Sequence, residues 1–123
     1  MMEDLSTKRD LKDIETIIDY CGKIDMVMEE FGRDEESFQE NYALQSSCAF
    51  SLIQIGESVK SLLKRGFGEK YPAVEWKQIA RFRDVIVHHY GKTDITIVWK
   101  TSANLVPELK SECELIRKRL KTK

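Results

Sequence analysis

Proline is nearly missing from this 123-residue chain, where Pro72 and Pro107 are the only two. Few positions therefore forbid a helix, and clusters of turn-forming residues are sparse, so a helical content well above average is expected. Cysteine is scarce too. Cys21, Cys48 and Cys113 are odd in number, scattered and never spaced Cys-x-x-Cys. That pattern argues against a disulfide framework and a structural zinc site, and three reduced thiols in a cytoplasm are the expectation. No apolar run approaches the roughly 20 residues that a bilayer crossing needs, and no basic-then-apolar leader opens the chain. Internal repeats and low-complexity segments are also lacking. The length suits a single domain, residues 1–123, built around one ordinary core.

What is present is unevenly spread. The formal net charge is −1, yet residues 1–59 hold 5 basic against 14 acidic side chains, a balance of −9. Residues 60–92 hold 8 basic and 3 acidic groups, and residues 93–123 hold 7 and 4. A polyanion is steered toward the second half and repelled by the first.

Apolar residues recur at helical spacing in five stretches. From about Asp4 or Ser6 to Phe31, the residues Leu11, Ile14, Ile18, Cys21, Met28 and Phe31, with Ile17 and Ile24 beside them, make one stripe. Gly32 is the expected stop. A second helix is expected from about Ser37 to Lys64, with Cys48, Leu52, Ile55, Val59 and Leu62 inward, Phe38 and Tyr42 leading in, and a break at Arg65-Gly66-Phe67-Gly68. Pro72 suits a helix start, so a third helix is expected from about Ala73 to His89, with Trp76, Ile79, Phe82 and Ile86 inward and Gly91 as terminator. Thr93 or Asp94 then caps a segment containing Ile95, Val98 and Trp99. Pro107 either interrupts that pattern or starts a new helix. The last helix, about Val106 to Leu120, keeps Leu109, Cys113, Ile116 and Leu120 on one side and ends in a basic tail. The fold class expected is all-α, an up-down bundle of four to five helices.

Reactive chemistry is concentrated in one place. Arg83-Asp84-Val85-Ile86-Val87-His88-His89-Tyr90 contains both histidines of the chain. A guanidinium forks onto phosphate oxygens, and an imidazole moves protons near neutral pH. RNA carries its own nucleophile, the 2′-hydroxyl. Breaking its phosphodiester needs a base, an acid and positive charge for the developing phosphorane, and no metal or cofactor is required. In this reading His88 handles protons and Arg83 binds phosphorane oxygens. Asp84, four residues before His88, can meet it on one helix face and hold the imidazole, with His89 as a helper. Lys77, Arg81 and Lys92 are candidate RNA phosphate contacts. Arg83 and His88 sit roughly 140° apart around a straight helix. They converge on one phosphate if the helix ends or distorts near His88, or if two copies pair about a two-fold axis and line a shared cleft. Simpler alternatives exist for the same residues. Histidines at a helix C-terminus complement its dipole, Arg81, Arg83 and Asp84 can form a surface ion-pair cluster, and Trp76 and Trp99 suit core or interface anchors.

Arg83, four intervening residues, His88, one residue and Tyr90 resemble the Arg-x4-His-x-Tyr motif of the HEPN superfamily, in particular its HepT-like toxins. Ile55-Gly56-Glu57 is similar to that family's second-helix signature, Trp76 stands upstream as in the family, and Asp94 with Trp99 resembles its downstream pattern. Leu105-Val106-Pro107-Glu108-Leu109 is similar to its closing region. The resemblance implies a metal-independent endoribonuclease, an all-α homodimer with the cleft at the dimer interface and Arg83 and His88 as catalytic pair. Asp84 stands where many relatives have asparagine. Tyr90 corresponds to a tyrosine that receives AMP from a minimal nucleotidyltransferase, which acts as antitoxin and is the implied protein partner. Bulk and phosphate charge there would repel RNA from the site. The alternative function is a helical nucleotide- or RNA-binding subunit that assists a nucleotidyltransferase without chemistry of its own.

Overall fold

The computed structural model describes residues 2–88 and 94–122. Helix α1 (Met2–Phe31) runs to Gly32, whose backbone adopts φ +115° and whose N–H donates to the Met28 carbonyl at 2.9 Å. Glycine takes that left-handed conformation without a Cβ penalty, which is why the helix stops where the sequence suggests. Its buried line is Ile14, Ile17, Cys21, Ile24 and Met28, a three–four alternation along one face. Ile17 and Ile24 thus form the centre of the stripe rather than its edge. Phe31, expected inward, is 48% exposed because the helix has already run past the core.

The expected second helix is two helices. Asp34 caps α2 (Glu35–Glu40), its carboxylate accepting from the Ser37 N–H at 2.9 Å. Asn41 then turns extended, with φ −117° and ψ 98°, and its side chain accepts from the Leu44 N–H at 3.0 Å to start α3 (Tyr42–Lys64). An asparagine amide offers the backbone a local partner, and here that competes successfully with a continuous helix. The break turns Phe38 fully inward and leaves Tyr42 outward. The remainder of the α3 stripe, Cys48, Leu52, Ile55, Val59 and Leu62, is buried as read.

After Gly66 at φ +74° comes the short α4 (Phe67–Lys70). Helix α5 (Trp76–His88) starts three residues later than the expected Ala73, and Pro72 lies in the preceding turn. Trp76 sets the boundary. Its indole is buried, donates to the Tyr71 carbonyl at 2.7 Å and meets Phe67 edge-on, with centroids 5.5 Å apart. Phe82 is only partly buried, while Ile79 and Ile86 face the core.

Asp94 caps α6 (Ile95–Lys100), accepting from the Thr96 N–H at 2.9 Å. Pro107 stands in the first turn of the last helix, as expected of a helix start, but no loop separates that helix from the one before it. A π-helical turn (Thr101–Leu105) joins α6 to α7 (Val106–Lys121), with the Val106 N–H donating to the carbonyl of Thr101, five residues back. The spacing explains it. Buried Val98, Ser102 and Val106 follow each other by four, and Leu109, Cys113, Ile116 and Leu120 then alternate three and four. Two consecutive fours overrun an α-helix, and a wider turn keeps both ends on the core.

Helix α1 packs against α3 and α7, and α3 packs against α5 and α6, so the long helices form one all-α bundle. Trp99 anchors α6 by donating from its indole to the Arg33 carbonyl at 3.1 Å. No helix among the described residues is long and apolar enough to cross a membrane.

Candidate active site

Helix α5 carries the candidate site residues Lys77, Arg81, Arg83, Asp84 and His88, and its two sides differ. Lys77, Arg81, Asp84 and His88 recur at three- and four-residue steps and so lie along one face. Lys77, Arg81 and His88 are exposed there, His88 at the end of the helix. Arg83 lies about 120° around from Lys77 and points toward α3. The pair read from the sequence is therefore held on one element but on two of its sides, and within one copy they do not meet as a facing couple.

Arg83 reaches α3 because Gly56 makes room. A Cβ at position 56 would overlap the Cβ and Cγ of Arg83. One turn of α3 and the neighbouring residue of α5 supply the partners. The Nη2 of Arg83 pairs with the Glu57 carboxylate, and its Nη1 donates to Asp84 Oδ1 at 2.8 Å. Lys60 adds a bond from Nζ to the same Asp84 oxygen at 3.0 Å. Only 19% of the Arg83 side chain is exposed, and its Nε is buried with no partner among the described residues. The hydrogen bond to Asp84 raises the Arg83 pKa above its ordinary value, burial opposes that, and Glu57 adds to it. The reciprocal bond from Arg83, followed by that from Lys60, holds the Asp84 carboxyl below the usual carboxylate range.

Asp84 is thus engaged with Arg83 and Lys60, whereas the sequence suggested an orienting bond to His88. His89, Tyr90 and Lys92 lie outside the described residues, as do Gly91 and Thr93. The ion-pair alternative describes part of the site well. Arg83 and Asp84 do form an ionic cluster, but with Glu57 and Lys60 of α3 as its other members.

A groove of about 490 Å³ lies elsewhere, lined by Val74, Glu75, Ile79, Leu105, Pro107 and Glu112 among others. Its glutamates suit a polyanion poorly, so it is not where RNA is expected. Among the described residues, no group of three or more His, Cys, Asp or Glu comes together in a way that could hold a metal ion.

Comparison with known proteins identifies the family. The family model described as Ribonuclease HepT-like matches residues 11–116, which include Gly56, Glu57, Arg83 and His88. The chain belongs to the HepT-like ribonuclease family. The provisionally named RNase MJ0127 of Methanocaldococcus jannaschii is 38% identical over 108 residues, covering 88% of this chain and 81% of its own. From the same organism, the provisionally named RNase MJ1216 is 34% identical over 117 residues, 94% of either chain. A protein of Thermococcus cleftensis named a probable ribonuclease HepT is 32% identical over 96 residues, 75% of this chain and 84% of its own. No solved structure matches. The enzymatic class, endoribonuclease, follows from membership of the HepT-like family.

Sequence reading missed Lys60 altogether and gave Gly56 and Glu57 no task. Their i, i+1 and i+4 spacing on the second long helix was visible, but nothing local says that this turn meets Arg83. A helix-to-helix register has no signature in a single chain.

Proposed function

We propose that this HepT-like ribonuclease cleaves RNA without a metal, by attack of the 2′-hydroxyl on the adjacent phosphorus. His88 takes the hydroxyl proton, the new O–P bond closes a 2′,3′-cyclic phosphate, and the bond to the 5′-oxygen breaks. That oxygen receives a proton from an imidazole, and Arg83 stabilises the extra negative charge on the equatorial oxygens. The observation that carries this reading is the construction of Arg83, a guanidinium anchored through Gly56, Glu57 and Asp84 on the helix that ends in His88.

The angular separation of Arg83 and His88 supports a homodimer in which two α5 ends line one cleft and supply two imidazoles, one for each proton transfer. Exposed Val85 and Val87 beside them give such a contact apolar surface. In the biological reading the chain is the toxin of a toxin–antitoxin pair, acting in the cytoplasm. Its partner is a minimal nucleotidyltransferase that silences it by transferring AMP to Tyr90. The added phosphate would compete with RNA by occlusion and like-charge repulsion.

His88→Ala and Arg83→Ala should each reduce cleavage of an RNA oligonucleotide in chelator by at least about 10²-fold, with unchanged helical circular dichroism. Fragments should end in 2′,3′-cyclic phosphate. Parent-rate cleavage by the His88→Ala protein sinks the mechanism, and RNA binding without fragments points to the non-catalytic subunit instead. For the switch, intact mass after co-expression with the nucleotidyltransferase should show added AMP that Tyr90→Phe abolishes. An adduct that persists in that variant lies on another residue.

A further inference from the structure

Arg83 is more constrained than a phosphate-binding arginine needs to be. Such a side chain normally keeps its guanidinium in water on a flexible stem. Here the stem lies against the backbone of α3 at Gly56, the Nε is enclosed, and two carboxylates flank the terminal nitrogens. We infer that Gly56 and Glu57 are positioning residues for Arg83, fixing the orientation in which its guanidinium meets the scissile phosphate. This rests on the ribonucleolytic reading of the same site.

Three features favour positioning over simple attraction. Glu57 is half exposed, so its carboxylate reaches the guanidinium from the solvent side rather than from a closed core. Arg83, Lys60, Glu57 and Asp84 together carry two positive and two negative charges. A neutral cluster draws no polyanion from a distance, and that task falls to exposed Lys77 and Arg81 on the other face of α5. A fixed guanidinium instead acts where charge accumulates on phosphorus, a transition-state effect that appears in kcat. The glycine is needed because any Cβ at position 56 would push the Arg83 stem off α3. Lys60 contributes a second cation on the Asp84 oxygen that Arg83 holds, which restrains that carboxylate.

The test is steady-state cleavage of a short fluorogenic RNA by wild type, Glu57→Gln, Glu57→Ala and Gly56→Ala, with nitrogen-15 NMR of the Arg83 Nε–H. Each variant should lose about 10- to 10²-fold in kcat, with KM changed by less than about twofold. Glu57→Gln, which keeps an acceptor for Nη2, should retain more activity than Glu57→Ala. The Nε–H should be shielded from solvent exchange in wild type and exchange rapidly in Glu57→Ala. An unchanged kcat overturns the inference. So does a fall in KM at constant kcat, which would make Glu57 a competitor that phosphate displaces. If Gly56→Ala does not fold, the two Glu57 variants decide alone. If wild type cuts no RNA, the ribonucleolytic proposal fails first, and the exchange of the Nε–H still reports whether Glu57 holds Arg83.

Discussion

Arg65 closes α3 and at the same time ties it to α1. Its Nε donates to Asp10 at 2.6 Å and its Nη2 to Asp13 at 2.5 Å, while Nη1 reaches the Ser61 hydroxyl at 3.0 Å. Burial would lower the Arg65 pKa, but the bonds to Asp13 and Asp10 outweigh it and the net shift is upward. Asp10 is 7% exposed at its side chain, so it depends on that guanidinium for compensation. Removing one member of a buried pair leaves the other charge stranded, at a cost of about 3–5 kcal/mol. Because Arg65 itself keeps 22% exposure, Arg65→Ala should destabilise near the lower end of that range, measured by urea denaturation. Asp13→Ala should cost clearly less, since Asp10 keeps its partner. At this scale the sequence was legible for residue type and silent on partners. Arg83 and His88 stood out because cations and imidazoles in eight residues are rare. That Glu57 would grip Arg83, or Asp10 would grip Arg65, depends on which helices touch.

Helices were readable where burial alone decides them. The stripes of α3 and α7 are buried residue for residue as their spacing suggests, since a 3.6-residue repeat needs no tertiary information. Boundaries set by one polar side chain were not. Asn41 offers no apolar signal, yet its amide accepts the Leu44 N–H and splits α2 from α3. Asn41→Ala should destabilise the protein by about 1 kcal/mol, seen as a lower thermal midpoint. An unchanged midpoint would mean that α3 begins without help from this cap. The π turn at Thr101–Leu105 was half legible. The conflict between Pro107 and the apolar pattern was plain, but its resolution as a widened turn requires knowing that Val98 and Leu109 face the same core.

Over the whole molecule, the uneven charge has a structural counterpart. Part of the acidic first half is spent within the fold, on Arg65 from Asp10 and Asp13 and on Arg33 from Asp25 and Glu29. The basic segment leaves Lys77 and Arg81 exposed on α5, beside the proposed cleft. The all-α bundle was legible from the scarcity of prolines and the stripe periods. The family was legible from short motifs on several helices, and the match over residues 11–116 supports it. Cys21, Cys48 and Cys113 remain to be considered. Each is fully buried, and enclosure among apolar neighbours pushes the Cys21 thiol up to about 12 and that of Cys113 higher still. A reagent can attack a thiol only as its thiolate and only once water arrives. Oxidation of these thiols must therefore wait for the bundle to open, and three sulfurs on three different helices keep time for that event, each registering how often the interior around it is breached.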